Sequence, residues 1–505
     1  MSRKQTFELD EPVFAFNSGG SKTIFTLRHC YESFFICGGV GSGKSSASGA
    51  YLAERFISKN FGGLVLTTKI SERDFWVGLA EKSGRRKDLI IVEPSPKNKH
   101  VFNFLDYEAS RSEGSYTQNM VKLLKTVIQS SEEKGSGKSD DPFWDKALDL
   151  LLFNVIELVL LAYGKLSLTE MYSVVLAAPD NEKRKNTSDL PDSFERAYRK
   201  ARNNVYEKVT TWRATQPPLE IQIMQGDQEY YNQMILEHIP DAKRLKAVDQ
   251  FFAETFRSLS SKTRSIVLFS FSSFLHSMLQ EPIFSLFCRH ESTYSPEDCF
   301  KGKIILLNLP VKKYFNAGRD VQCLFKLIFQ RSVERRDTSK NPRGLFLWQD
   351  ESQHFITEND ALFQSTSRES RISSVYITQN LSSFYASMGG DSHKSEHRVN
   401  QLLGTLATKI FHANADPHTN AWASRLIGQG WSEDISTGTQ ISGDFSATRN
   451  TSYRLEDMVR PEHFNFLKTG GSENDCLVEA IVHRQGRTFD NGMNWKKITF
   501  KQNKI

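Results

Sequence analysis

The chain has 505 residues, of which 39% are hydrophobic and 25% are charged, a composition typical of globular proteins and too rich in apolar residues for extended disorder. Its 65 lysines and arginines against 59 aspartates and glutamates give a net charge of +6, which permits an anionic partner without requiring one. The six cysteines form no CxxC pair and stand near no histidine cluster, so the pattern disfavours a disulfide framework and a zinc site.

The amino terminus, MSRKQTFELDEPVF, lacks the apolar run of a signal peptide. The most apolar stretch of the chain, residues 147–163, is interrupted by Asp149, Asn154 and Glu157. These polar residues favour a buried helix over a membrane span. We therefore expect a soluble, cytoplasmic protein.

The first strong pattern in chain order is a glycine-rich turn between a short apolar run and a helix. Residues 32–37 predict a buried strand, and residues 46–58 predict a helix with an apolar face. The sequence between them fits G-x-x-x-x-G-K-[ST], the pattern of a phosphate-binding P-loop, at every fixed position. The predicted nucleotide-binding residues are Gly38, Gly39, Val40, Gly41, Ser42, Gly43, Lys44, Ser45 and Ser46.

Each residue type in this turn suits phosphate chemistry. Glycines let successive N–H groups turn inward, and the following helix adds its partial positive charge. Lys44 can reach the β- and γ-phosphates of ATP, and the Ser45 hydroxyl can complete the shell of a Mg²⁺ ion. ATP and Mg²⁺ are the predicted cofactors, and a chance glycine-rich turn is the alternative interpretation.

The character of the sequence changes between residues 114 and 279, where helical spacing dominates and strand patterns are few. This segment predicts an all-helical domain inserted into an α/β core. A second glycine–lysine run, residues 135–139, has no strand before it and is predicted to be a surface loop. The basic segment 196–202 fits either a nucleic-acid contact or a solvated helix face.

A P-loop requires a carboxylate at the end of another buried strand. Residues 344–351 form an apolar run that ends in Asp350 and Glu351. Asp350 is the predicted metal-side acid together with Ser45, and Glu351 is predicted to polarise the attacking water. A solvated strand end with two acids is the alternative.

The next apolar run, residues 374–379, ends in Gln379, which could sense the γ-phosphate or simply cap the strand. Arg368 and Arg371 precede this run. Either arginine could complete the site of a neighbouring subunit as an arginine finger or could form an ordinary surface ion pair. The predicted catalytic set is therefore Lys44, Glu351, Gln379, Arg368 and Arg371.

Further apolar runs at residues 63–67, 89–92, 303–309 and 407–411 predict strands that alternate with helices. This pattern indicates the α/β fold class, with a mainly parallel sheet covered on both faces. The predicted division is residues 1–113 for the first part of the core, 114–279 for the inserted all-α domain and 280–505 for the second part of the core.

An ordered series of segments resembles the conjugative coupling ATPases of type IV secretion, a branch of the FtsK–HerA superfamily. The P-loop is followed by Thr67-Thr-Lys69, where the family usually has Asp-Pro-Lys. The series continues with Glu93-Pro94, residues 102–106 and 141–144, Asp350-Glu351, Gln379, and residues 408–410 leading to 426–428. It extends across most of the chain.

The resemblance implies a RecA-like core, an all-α domain, a hexameric ring and DNA in a central channel. The leading hypothesis for the function is an ATP-driven DNA translocase, and a relaxase or another protein substrate could be a further partner. Two departures stand out: Thr67 replaces an acidic residue, and the membrane helices that usually begin such proteins are missing. The second departure suggests a separate membrane partner or a soluble branch of the family. A protein-recruiting adaptor, or an ATPase switch in a defence or mobile-element complex, is the alternative function.

Overall fold

The computed structural model describes residues 7–18, 20–95, 99–111, 114–132, 142–179, 192–390, 393–442 and 444–502. The strands are β1 (Pro12–Ser18), β2 (Ser21–Thr26), β3 (Phe34–Cys37), β4 (Gly62–Leu66), β5 (Leu89–Val92), β6 (Ile304–Leu307), β7 (Leu345–Gln349), β8 (Ile372–Thr378), β9 (Thr408–Phe411), β10 (Gln429–Ser442), β11 (Asp444–Asp457), β12 (Leu477–Arg484) and β13 (Trp495–Lys501). The residues 135–139 that were predicted to be a surface loop lie outside the described ranges.

The α-helices are α1 (Leu27–Cys30), α2 (Ala50–Ser58), α3 (Glu72–Lys82), α4 (Phe104–Arg111), α5 (Tyr116–Glu132), α6 (Pro142–Tyr163), α7 (Leu168–Leu176), α8 (Ser193–Ala214), α9 (Pro218–Gly226), α10 (Gln228–His238), α11 (Pro240–Gln250), α12 (Phe256–Ser258), α13 (Ser261–Leu279), α14 (Ile283–Phe287), α15 (Val311–Glu334), α16 (Glu358–Thr366), α17 (Leu381–Ser387), α18 (His393–Thr405) and α19 (Pro417–Ile427). A π-helical turn, Ser45–Gly49, directly precedes α2.

Nine strands form one sheet in the order β13-β12-β9-β3-β8-β7-β4-β6-β5. Five of the strand pairs are parallel: β3 with β8, β3 with β9, β7 with β8, β7 with β4, and β4 with β6. β12 is antiparallel to both of its neighbours, β9 and β13. Strands β3, β4, β6, β7 and β8 are buried along their whole length. Continuous apolar strands of this kind belong to parallel sheets covered on both faces, so the predicted α/β class with a mainly parallel sheet is confirmed.

Alternate residues of β3 point into two separate cores. Phe34 and Ile36 join a large cluster that includes the aromatic rings of the β1–β2 hairpin and of α3. Phe35 and Cys37 join a second cluster on the opposite face, together with side chains of α17, α18 and α19. Because each buried large apolar side chain contributes roughly 1.5–3 kcal/mol, this two-sided burial fixes the position of the strand that leads into the glycine-rich turn.

The described residues divide into two compact units. One contains Met1–Ile91, Pro296–Lys313 and Phe329–Ile505, with the sheet strands that surround the glycine-rich turn. The other contains Val92–Ser295 and Tyr314–Ile328 and is built from helices between its described loops. The exact domain limits predicted at residues 113/114 and 279/280 stay a prediction.

The apolar stretch 147–163 lies in α6, and its side chains at Leu151, Val155, Ile156 and Val159 are fully buried, which confirms the predicted buried helix. Among the described residues, no single helix has both the length and the apolar character needed to cross a membrane. Residues Phe143–Tyr163 and Leu168–Leu176 pass that test only together, as a pair bent by 118°.

Candidate functional site

The glycine-rich turn connects the carboxyl end of β3 to the π-helical turn and α2, which is the predicted strand–turn–helix arrangement. Gly41 and Gly43 have φ angles of 74° and 82°, in the region that side-chain-bearing residues rarely adopt. Within the described residues, the N–H groups of Gly41, Gly43 and Lys44 donate to no backbone carbonyl. They are therefore available to bind oxygen atoms of an anion at the amino end of the helix.

Close packing holds the turn against β9 and β12. A Cβ atom added to Gly38 would lie 2.6 Å from the Cβ of His412, and one added to Gly43 would lie 2.6 Å from a methyl group of Val478. The N–H of Gly38 donates to the carbonyl of Thr378 at 3.3 Å, and the N–H of Gly39 donates to that of Ala413 at 2.8 Å. Space therefore requires glycine at Gly38, and both space and backbone conformation require it at Gly43.

The fold brings the predicted acidic residues to this turn, since β7 ends one residue before Asp350. The Ser45 hydroxyl donates a hydrogen bond to Oδ2 of Asp350 at 3.0 Å, across 305 positions of sequence. Both carboxylates, Asp350 and Glu351, are only 5% exposed. A hydroxyl and a carboxylate in contact supply the hard oxygen ligands that Mg²⁺ prefers, so these residues fit a nucleotide-bound magnesium ion.

Glu351 lies at the centre of a hydrogen-bonded cluster. Its carboxylate accepts from Nε2 of Gln379 at 3.2 and 3.3 Å, from Nε2 of Gln353 at 2.9 Å and from Nζ of Lys69 at 3.2 Å. Its backbone has a φ of 51°, a left-handed conformation that a glutamate rarely adopts. Backbone strain of this kind persists where surrounding contacts enforce it, and it concentrates at functional sites.

The cluster keeps Glu351 ionised. Burial by itself would raise the pKa of this carboxyl, but the hydrogen bond from Gln353 and the positive charges of Lys69 and Lys44, with the hydrogen bond from Gln379, outweigh it and lower the pKa to about 2. The carboxylate therefore carries its full charge throughout the neutral range. It can orient and polarise a water molecule through that charge and through its hydrogen-bonding oxygens.

The sequence model of the family described as "Type IV secretory system Conjugative DNA transfer" matches residues 15–469. The chain belongs to this conjugative DNA-transfer family. A search of curated protein sequences finds no match.

Solved structures of the bacterial conjugative coupling protein TrwB have the same fold as this chain. TrwB in complex with ADP and Mg²⁺ aligns with a TM-score of 0.60 at 14% identity, covering 100% of this chain and 92% of that chain. TrwB in complex with the non-hydrolysable GTP analogue GDPNP aligns with a TM-score of 0.58 at 15% identity, covering 98% and 96%. The unbound monoclinic form of TrwBdeltaN70 gives 0.58 at 14% identity, covering 97% and 90%. The predicted RecA-like α/β architecture is thus confirmed.

Lys69 also belongs to the site, although the sequence analysis assigned it no role in binding or catalysis. Its Nζ lies 3.2 Å from Oε1 of Glu351 and 3.8 Å from Oδ2 of Asp350, so one cation bridges both acids. The backbone N–H of Lys69 is itself held by the buried carboxylate of Glu72 at 2.9 Å. The sequence signal for Lys69 was its place in the segment that corresponds to the family's Asp-Pro-Lys. Its approach to the two acids is visible only once the strand order places β4 beside β7.

The departure from the family pattern at Thr67 has a structural explanation. The Thr67 hydroxyl is fully buried and donates to the carbonyl of Leu307, at the end of β6, at 2.7 Å. The next residue, Thr68, donates to the carbonyl of Asp350 at 3.1 Å. These hydroxyls link the ends of β4, β6 and β7 at a position where an ionised carboxylate would repel those carbonyls.

The two candidate arginines occupy different surroundings. Arg371 immediately precedes β8, so it lies at the amino end of the parallel strands, whereas the glycine-rich turn follows the carboxyl end of β3. Its guanidinium donates to the backbone carbonyls of Phe7 and Pro342 at 3.1 and 3.3 Å. Arg368 is exposed. Within its own chain, neither arginine joins the cluster around Glu351, so a role at a neighbouring site stays a prediction.

The buried side chain of His412 packs against the glycine-rich turn. Its Nε2 lies 2.7 Å from the hydroxyl of Ser48, and the side chain is 1% exposed. Burial, assisted by the nearby charge of Lys44, lowers the pKa of His412 to about 3. The imidazole is therefore neutral in the folded protein over a pH range in which an unfolded chain would protonate it.

We expect this histidine to make the fold sensitive to acid. An unfolded histidine binds its proton below about pH 6.5, whereas His412 stays neutral until about pH 3, so the unfolded state gains stability as the pH falls between those values. At pH 5, this one group lowers the free energy of unfolding by about 2 kcal/mol relative to pH 7. Urea unfolding at the two pH values measures the loss. His412→Gln should reduce the difference in unfolding free energy between pH 7 and pH 5 by about 2 kcal/mol. The exposed control His463→Gln should leave that difference unchanged. The same difference in the wild type and in both variants would contradict the assignment.

Proposed function

We propose that this protein is an ATP-driven coupling ATPase that moves DNA during conjugative transfer or a related process, acting as a ring of identical subunits. The observation that carries the proposal is the contact between Ser45 of the glycine-rich turn and Asp350 at the end of β7, with Glu351 and Gln379 joined beside it. Membership of the DNA-transfer family supports DNA as the substrate. The TrwB complexes with ADP and Mg²⁺ and with a GTP analogue support nucleotide binding by a protein of this fold.

In this proposal, magnesium-bound ATP supplies a terminal phosphoryl group whose transfer to water releases free energy. The N–H groups of Gly41, Gly43 and Lys44 and the Lys44 ammonium bind the phosphates, and Ser45 with Asp350 holds the metal side of the site. Glu351 orients the attacking water through its ionised carboxylate.

Gln379 connects this chemistry to the rest of the subunit. Its side chain donates to Glu351, and its backbone carbonyl accepts from Nδ2 of Asn414 at 3.1 Å, just after β9. A shift of Glu351 on loss of the γ-phosphate would therefore reach the loops after β8 and β9 through one residue. We propose Gln379 as the sensor for that reason.

The proposed assembly is a hexamer with DNA in its channel, held largely through phosphate contacts that are independent of sequence. Arg368 or Arg371 of one subunit would complete the site of the next. We place the protein in the cytoplasm, recruited to the membrane by a separate partner, with a relaxase or another protein as a possible cargo.

The test is ATP hydrolysis by the purified protein with single-stranded DNA, with double-stranded DNA and without DNA. We expect stimulation by one strand form, a steep loss of that stimulation as salt rises, and no turnover by Lys44→Ala. Hydrolysis that depends on Lys44 but ignores both DNA forms would contradict the translocase and favour a protein-recruiting adaptor or switch. Sedimentation with ATP and DNA tests the ring, which a persistent monomer would exclude.

A further inference from the structure

A second cavity lies at the other end of the sheet from the glycine-rich turn. It has a volume of about 550 Å³ and is lined by side chains or backbone of α18, α19, β9, the end of β12 and the segment around Asn494. The turn follows the carboxyl end of β3, whereas this cavity opens near the amino end of the parallel strand β9. The two sites are therefore separate, and the proposed ATPase function assigns no role to the second.

Of the three basic residues that line this cavity, Arg484 stacks its guanidinium on Phe25 and Phe489, whereas the other two stand next to each other. Lys409 on β9 and His483 on β12 are direct partners in an antiparallel pair, so both side chains leave the sheet on the same face. They are 2% and 5% exposed, respectively. No acidic residue lines the cavity within the described part of the chain.

The Lys409 ammonium is poorly compensated for a buried charge. It donates one hydrogen bond, to the carbonyl of Leu406, and forms no ion pair with a described residue. Burial lowers the pKa of Lys409 to about 8, so the group is still largely protonated at neutral pH. An uncompensated buried charge costs several kcal/mol, and proteins normally pair such charges.

Two further polar atoms of the cavity wall also lack partners. Nδ1 of His483 and Oδ1 of Asn494 are buried and form no hydrogen bond among the described residues. The Asn494 amide is oriented by its own donation to the carbonyl of Ile427 at 3.1 Å. Its oxygen can only accept, so a ligand that satisfies this wall presents a hydroxyl or N–H donor as well as a negative charge.

We propose that this cavity, which we call the basic cavity, binds a small phosphate monoester. Lys409 and His483 would bind the phosphate oxygens, and Asn494 would accept from a hydroxyl of the attached group. Burial and the neighbouring charge of Lys409 lower the pKa of His483 to about 4, so its imidazole is neutral before binding. A phosphate dianion matches the chemistry because it pairs with the Lys409 ammonium and accepts a hydrogen bond from the imidazole, whose protonation it favours. The volume lies within the range of small-molecule sites, and the indole of Trp422 supplies an apolar wall.

The experiment uses ribose 5-phosphate as the probe and isothermal titration calorimetry as the measurement. All proteins carry Lys44→Ala, which weakens phosphate binding at the glycine-rich turn. We expect saturable binding of one equivalent per chain. Adding Lys409→Met should weaken that binding at least tenfold, by loss of the charged partner. Lys468→Met, which removes an exposed lysine, should leave it unchanged.

A second variant guards against a folding defect in Lys409→Met. His483→Gln keeps a polar side chain of similar size but cannot become a cation, and it should also weaken binding and reduce the rise in melting temperature that the probe produces. The proposal is overturned if the Lys44→Ala protein does not bind the probe. It is equally overturned if Lys409→Met and His483→Gln both bind it as tightly as the parent.

Discussion

Glu351→Gln is expected to lower the rate of ATP hydrolysis by about 100-fold or more while nucleotide binding stays within a few-fold of the wild type. The amide keeps the shape of the side chain and can still accept hydrogen bonds, but it carries no charge to orient or polarise water. Because Glu351 has a pKa of about 2, it is ionised in essentially every wild-type molecule at neutral pH. The substitution therefore removes a charge that is always present.

The measurement pairs steady-state hydrolysis with equilibrium binding of a fluorescent ATP analogue. Glu473→Gln is the matched control, since it makes the same chemical change at an exposed position outside the cluster and should leave both quantities unchanged. A Glu351→Gln protein that hydrolyses ATP at the wild-type rate would exclude Glu351 as the water-orienting group. Loss of binding together with hydrolysis would instead give Glu351 a structural role at the metal.

Gly43→Ala should destabilise the protein by about 2–5 kcal/mol and abolish nucleotide binding. Two penalties add at this position. The φ of 82° costs a residue with a Cβ about 1–2 kcal/mol, and the new methyl group would lie 2.6 and 2.8 Å from the two methyls of Val478. Because the collision is with the fully buried side chain of Val478, the turn must move away from its binding conformation.

Gly84→Ala separates the two penalties. Gly84 has a φ of 67°, but a Cβ at that position would meet nothing within 4 Å, so only the backbone cost of about 1–2 kcal/mol applies. Urea denaturation of both variants gives the difference directly. The double variant Gly43→Ala with Val478→Ala tests the collision itself, because the smaller side chain should restore part of the nucleotide binding. Equal destabilisation by Gly43→Ala and Gly84→Ala would show that the collision is absent.

Sequence patterns were most informative where a strand is buried on both sides. The run at 89–92 coincides with β5, and the runs at 303–309, 344–351 and 407–411 contain β6, β7 and β9. β5 and β6 are continuously apolar and β7 is apolar up to Gln349, whereas β9 contains Thr408 and Lys409. Burial on both faces makes strands of the first kind easy to recognise, because no polar residues alternate with the apolar ones. The strand, turn and helix around Lys44 were predictable for the same reason, together with the fixed glycines.

The pattern was less informative at the edges of the fold. β1, β2, β13 and the first residues of β12 mix buried residues with partly or fully exposed ones, and β12 pairs with β9, which lies far from it in sequence. The spacing of apolar residues shows whether a strand is buried, but it does not show which strand pairs with it. For this reason the contacts of His412 and Lys69 with the site, and the approach of Val478 to Gly43, could not be read from the residues alone.

The glycine-rich turn, near one end of the chain, depends on β12 and β13 near the other. Val478 packs against Gly43, and Nε2 of Gln502 donates to the hydroxyl of Ser46 at 3.1 Å. On the ribosome, residues 38–46 are synthesised more than four hundred positions before these partners. The nascent chain must therefore expose the turn without its final support, and the complete phosphate cradle forms only once translation has passed residue 502.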